Sequence, residues 1–204
     1  MLCWMLVADV EGSPFICSIT WTVAVNIMDS IFARNTSTGV PKKFLSQTPN
    51  FYFTHVDVRK KLYNSDGKFS LKETLLPYPE RMFDVIWAHS LFTHMIFDEM
   101  EHYIAEFSRI MKGNGTLYAS YYLMNDVTAE GISKRTAGFD FTNRVGECFT
   151  FDTENPEEGV AQSESFVKRI YQKYGFSIIE PIHYSDWDKH TKPDQDFIIA
   201  DLIE

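Results

Sequence analysis

A chain of 204 residues, 45% hydrophobic and 15% aromatic, can build a full core, so disorder is excluded and residues 1–204 read as a single domain in which 1–21 are atypical. The formal net charge is −9 and no basic stripe is present, which argues against a nucleic-acid partner. Cys3, Cys17 and Cys148 lack metal or redox spacing and read as small buried hydrophobes of a reducing, cytoplasmic compartment.

No Lys or Arg precedes Arg34, and Asp9 and Glu11 interrupt the first apolar run, so a secretory signal is not expected. Gly12 to Met28 is uncharged but holds Gly, Pro, Ser, Thr and Asn. A membrane span needs about 20 predominantly apolar residues, so this stretch reads as buried strands and no membrane partner is expected. Short apolar runs predict strands at Leu6–Val10, Thr22–Ile27, Phe51–Val58, Phe83–Ala88, Gly115–Leu123, Phe176–Tyr184 and Asp196–Leu202. A short helix is predicted from Asp29 to Asn35.

The strongest helix prediction is Glu99 to Lys112, where Met100, Tyr103, Ile104, Phe107, Ile110 and Met111 recur at helical spacing. Asp98 is the expected cap with Glu101 as its reciprocal partner, and Gly113 the expected left-handed stop. A second long helix is predicted from Ser163 to Tyr174, ended by Gly175. Asn64-Ser65-Asp66-Gly67 is a turn signal, and Gly131 to Pro156 is a long, aromatic-bearing loop of the kind that serves as a lid or a substrate contact. Strands alternating with helices imply a parallel sheet, and such sheets bind ligands at the carboxyl ends of their strands.

Three stretches carry a more specific signal: FYFTHVDVRKKLYNSDGK; then FDVIWAHSLFTHM with EFSRIMKGNG and a strand; and NPEEGVAQSESFVKRIYQKYGFSIIEPIHYSDW followed by QDFIIADL. Together they resemble a class I S-adenosylmethionine-dependent methyltransferase of the small-molecule, type 11-like kind. The resemblance implies an α/β fold: a three-layer sandwich around a Rossmann-like, seven-stranded, mostly parallel sheet with an antiparallel last strand. It implies S-adenosyl-L-methionine as cofactor and methyl transfer to a small-molecule acceptor. By the same resemblance Asp57 would accept from the adenine amino group and Val58 would pack on the ring. The backbone of Ala88, His89 and Ser90 would line the methionine portion, and Asn26 would take the place of the acidic ribose-binding residue.

The first-strand turn departs from that family. Asp9 and Gly12 can be placed on its acidic residue and one glycine, but the other glycines of the turn are missing. Glu11 to Trp21 contains Pro14, shows no helical stripe and is barely long enough for a crossover, which needs about a dozen residues. The motif therefore reads as degraded and shortened. The competing reading is a catalytically inactive remnant that serves as a binding or interaction module.

His89, His94 and His102 have no Cys or carboxylate spacing that would make a metal site, and none is expected. His94 is the candidate general base, against a purely structural role. Tyr121, Tyr122 and Trp187 are the candidate substrate contacts, against core packing. Asp84 reads as a turn residue and Glu106 as a solvated helix position. Nothing in the residues names the acceptor or the oligomeric state.

Overall fold

A computed structural model describes residues 4–13, 16–24, 51–54, 56–61, 64–187, 189 and 194–203. In chain order the elements are β1 (Trp4–Ser13), β2 (Ile16–Ala24), β3 (Phe51–Thr54), β4 (Val58–Arg59), β5 (Phe69–Ser70), β6 (Phe83–His89), helix α1 (Phe97–Ile110) and β7 (Met111–Tyr121). There follow β8 (Leu123–Met124), α2 (Asp126–Ser133), β9 (Asn143–Val145), β10 (Cys148–Thr150), β11 (Val160–Ser163), α3 (Glu164–Lys173), β12 (Phe176–Ile178) and β13 (Asp196–Leu202). The expected helix at Asp29–Asn35, the end of the strand predicted at Thr22–Ile27, and Asn26 lie outside the described residues.

The protein is a mixed α/β structure. Its main sheet has seven strands in the order β12-β13-β7-β6-β1-β2-β3, beside a four-stranded sheet (β8-β11-β10-β9) and the β4–β5 pair. In the main sheet β6 pairs parallel with β7, and β2 parallel with β3. Strand β13 runs antiparallel to both β7 and β12, the reversal expected at the end of the chain.

A second reversal was not expected. Strand β1 runs antiparallel to β6 and to β2, with Trp4 opposite His89 and Gly12 opposite Cys17. Only Pro14 and Phe15 separate β1 from β2. Two residues can close a hairpin, whereas a parallel return needs a crossover of about a dozen. β1 therefore runs against its neighbours, while β2, β3, β6, β7 and β12 share one direction.

The core forms around β6, α1 and β7. Phe83, Ile86, Met100, Tyr103, Ile104, Phe107, Ile110 and Leu117 are all fully buried. Helix α3 lies beside α1, with Phe166 edge-on to Phe97 at 6.1 Å and Lys173 donating to Glu101 at 2.6 Å. The opposite face of β6 is more open: Trp87 is 41% exposed and stacks on Tyr118 at 5.7 Å.

Helix α1 begins two residues before the predicted Glu99 and ends at Ile110. Its N-cap is Ile96, whose backbone N–H donates to Glu99 Oε2 at 3.1 Å, so Glu99 fills the role expected of Glu101. Asp98 instead pairs with Lys72. The left-handed residue after α1 is Asn114, at φ 65°, not Gly113. Lys112 belongs to β7 and reaches back to Asp84 at 2.9 Å. Gly115 lies where the β6–β7 register shifts, and a Cβ there would fall 2.9 Å from the Asp84 carbonyl oxygen.

Glu106 is not the solvated position expected of it. It is 4% exposed and accepts two hydrogen bonds from Arg109, at 2.9 and 2.7 Å, and one from the Leu76 backbone N–H at 2.7 Å. Arg109 also donates to the carbonyls of Tyr78 and Leu76. Burial alone would push the Glu106 carboxyl up, but Arg109 and the Leu76 amide together hold it below its usual range. This pair clamps the Leu71–Pro79 segment onto α1.

The long Gly131–Pro156 segment is partly ordered into the β9–β10 hairpin, which joins the four-stranded sheet. Behind it Tyr122, Met124, Phe141, Ala161 and Trp187 form a second apolar cluster.

Candidate functional site

The shared direction of β2, β3, β6 and β7 puts their carboxyl ends on one edge of the sheet. Asp57 follows β3 on that edge, and Ala88, His89 and Ser90 close β6 on it. From β3 to β6 is three strand spacings, roughly 14 Å at about 4.8 Å each.

Asp57 is held from two sides. Its Oδ1 accepts from the Asn64 side-chain amide at 2.9 Å, and the same amide donates to the Val58 carbonyl at 2.9 Å. Its own carbonyl accepts from the backbone N–H groups of Lys68 and Phe69, at 2.9 and 3.0 Å. The predicted Asn64–Gly67 turn makes this return: Gly67 N–H donates to the Asn64 carbonyl at 3.1 Å, and a Cβ on Gly67 would fall 2.4 Å from the Val58 oxygen. Val58 is fully buried in the main core, in contact with protein.

Ser90 leaves β6 with φ 53°, the left-handed region, which is uncommon for a residue with a side chain. Its backbone N–H donates to Ser120 Oγ at 2.8 Å, Ser120 Oγ donates to Gln195 Oε1 at 2.5 Å, and Gln195 Nε2 donates to Ser90 Oγ at 2.8 Å. Ser120 is the penultimate residue of β7 and Gln195 immediately precedes β13. His89 is half-buried, lies flat on Phe197 at 5.6 Å, and its Nδ1 has no partner among the described residues. Burial holds its imidazole below the usual pKa, in the neutral form.

His94 is packed inside the protein. It lies in the short 3-10 turn Phe92–His94, buried, with Nδ1 at 2.9 Å from the Glu157 carbonyl oxygen. A carbonyl only accepts, so Nδ1 carries the proton. Burial pushes His94 below its usual pKa, and the nearby Lys60 charge adds to that. Lys60 itself is 5% exposed and pairs with Glu99 at 2.7 Å and Glu157 at 3.4 Å. The geometry is that of a packing histidine between two turns.

The three aromatic candidates are all buried. Tyr121 is fully enclosed, stacked on Phe92 at 5.1 Å and hydrogen-bonded to the Tyr171 hydroxyl at 2.9 Å. Trp187 is equally buried, its Nε1 donating to Asp196 at 2.9 Å. Tyr122 belongs to the same second cluster, next to Trp187 and the Phe139–Phe141 rings. Tyr121 belongs to the main core, and Tyr122 and Trp187 to the second apolar cluster.

Asp9 and Gly12 are not brought to the site. Because β1 is reversed, its first residues meet His89, and Asp9 lies five residues further along, roughly 17 Å at 3.3–3.4 Å per residue, toward the opposite edge of the sheet. The hairpin that displaces them is the consequence of the short link at Pro14–Phe15. Among the described residues no group of three His, Cys, Asp or Glu side chains is arranged to hold a metal, and no helix is long and apolar enough to cross a membrane.

Sequence reasoning missed Asp196, Ser120 and Gln195. Asp196 is 1% exposed and accepts from the Leu123 and Ser185 backbone N–H groups, the Ser185 hydroxyl and the Trp187 indole. Burial pushes its pKa up, against the pull of those donors. One signal was available: a reversed last strand brings its first residues, not its last, to the ligand edge.

Comparison with known proteins gives a family match for part of the chain. Residues 48–119 match the family model described as a methyltransferase domain. Similar solved structures include a SAM-dependent methyltransferase from Methanosarcina mazei, at 18% identity, covering 82% of this chain and 89% of that one with a TM-score of 0.48. The 1,6-didemethyltoxoflavin-N1-methyltransferase of Burkholderia thailandensis, solved with S-adenosylhomocysteine, matches at 11% identity over 82% of this chain and 59% of that one, TM-score 0.45. The cyclase SpnF matches at 14% identity over 89% of this chain and 64% of that one, TM-score 0.50. The SpnF likeness shows the shared fold. The methyltransferase-domain match bears out, for residues 48–119, the resemblance to class I S-adenosylmethionine-dependent methyltransferases.

Proposed function

We propose that this protein transfers a methyl group from S-adenosyl-L-methionine to a small-molecule acceptor, with the cofactor lying across the carboxyl ends of β3, β2 and β6. The observation that carries the reading is the placement of Asp57 and of Ala88–Ser90 on one edge, within the segment that matches the methyltransferase domain. Asp57, pre-oriented through Oδ1 by Asn64, has a second carboxylate oxygen to accept from the adenine amino group. The backbone of Ala88, His89 and Ser90 lines the methionine end, and the resemblance assigns the ribose contact to Asn26. A three-layer arrangement, in a cytoplasmic protein, belongs to the same reading.

When bound, the cofactor supplies an activated methyl group on a sulfonium. The chain's own part is to hold it, exclude water and line up the acceptor, which is enough for displacement at carbon when the nucleophile is already reactive. The buried, Glu157-bonded His94 is not needed as a base.

The second reading, a remnant acting as a binding module, is favoured by one observation: the reversed β1 leaves Asp9 and Gly12 away from the edge. Calorimetric titration with S-adenosylmethionine and S-adenosylhomocysteine separates the two. Saturable one-site binding, abolished or weakened by Asp57→Ala in a chain that melts as before, supports methyl transfer. No heat at millimolar ligand supports the remnant.

A further inference from the structure

We propose, on the strength of that cofactor reading, that Gln195 and Ser120 are positioning residues that hold Ser90 in its left-handed conformation and so set how the chain crosses the cofactor edge. The three residues come from three separate parts of the chain: the end of β6, the end of β7 and the approach to β13. Their hydrogen bonds close a ring. Ser90 N–H donates to Ser120, Ser120 donates to Gln195, and Gln195 donates back to Ser90 Oγ, all between 2.5 and 2.8 Å.

Gln195 spans the two hydroxyls with both halves of its amide, accepting from Ser120 through Oε1 and donating to Ser90 through Nε2. Ser120 is fully buried, so its hydroxyl has no water to fall back on, and Ser90 is 2% exposed. Ser90 at φ 53° adopts a conformation natural to glycine, so it needs outside support that a glycine would not. Ala88 and His89 are held by pairing with β1, and the direction of the Ser90 carbonyl and of the chain leaving the edge follows from that torsion. A reversed last strand thus delivers the support for the loop beyond the fourth strand of the sheet, counted from β3.

Two readouts test this on the full-length chain. In the first, S-adenosylhomocysteine affinity is measured for the parent, Gln195→Ala, and Gln195→Ala combined with Ser90→Gly. Loss of the ring should weaken Gln195→Ala about tenfold, the loss of one or two net hydrogen bonds. Glycine at position 90 should bring affinity back to within about threefold of the parent, because it adopts the left-handed conformation without a Cβ penalty. A merely structural tie between β13 and the loop would give no such rescue. In the second readout, amide exchange across residues 88–91 should quicken in Gln195→Ala, since the Ser90 N–H loses its anchored acceptor. Parent-like affinity in Gln195→Ala, or weakened binding that Ser90→Gly leaves unrepaired, overturns the proposal. If the parent does not bind the ligand, the methyl-transfer reading fails and exchange alone decides: unchanged exchange in Gln195→Ala overturns the ring's role.

Discussion

The β6–α1–β7 unit and the β1–β2 hairpin belong to one sheet, yet they are built by different rules. In the first, a fourteen-residue helix returns the chain to start a parallel strand, and every core position on the helix is buried. In the second, antiparallel strands are separated by only two residues in sequence. Strand propensity is adequate in both. Connection length decides direction, and direction decides which end of a strand reaches the ligand edge. A short link thereby displaces Asp9 and Gly12 from the site without changing either residue.

The comparison breaks most visibly in the core. Phe107→Ala, which empties a site lined by the Phe92 and Tyr103 rings, should cost about 3–5 kcal/mol in a denaturant melt. That is a large part of a typical total of about 5–15 kcal/mol. Next comes the clamp: Glu106→Ala strands Arg109 and the Leu76 amide and should cost about 2–3 kcal/mol, read from the same melts. Equal resistance of parent and variant would mean that the Leu71–Pro79 segment is not held by this pair.

These two effects mark where the sequence was legible. The helical stripe of Phe107 and Ile110 and the apolar runs on either side were plain, because periodicity encodes burial directly. Glu106 was not, since a carboxylate on a helix looks solvated until the loop that covers it is known. The reversed last strand was legible and the reversed first strand was not, although Pro14 and the short spacing pointed at the constraint that produces it. Asp57 and Ala88–Ser90 were found through motif resemblance. Ser120 and Gln195 were missed because their roles arise only from the strand directions.

A smaller effect concerns pH. Burial holds His89 and His94 below the ordinary 6.5, so the unfolded chain binds protons that the folded one refuses. Stability should therefore fall as pH drops through 6.5 toward the lower folded values, and be fully present above it. Thermal melts from about pH 7.5 to 5.5 should show a declining Tm, with a shallower slope in His94→Gln. A Tm that rises over that interval would contradict the buried placement of both rings.

The smallest expected effect is none: Asp9→Asn and Gly12→Ala should leave S-adenosylhomocysteine affinity within about twofold of the parent, since both are set back from the edge.

The most direct test is to map ligand-induced amide shifts by NMR while S-adenosylhomocysteine is titrated into the labelled chain. Shifts should concentrate at Asp57–Val58 and Ala88–Ser90, extend to Ser120 and Gln195, and spare Asp9–Gly12. A shift pattern centred on Asp9–Gly12, with Asp57 and Ser90 unmoved, would contradict both the reversed first strand and the site.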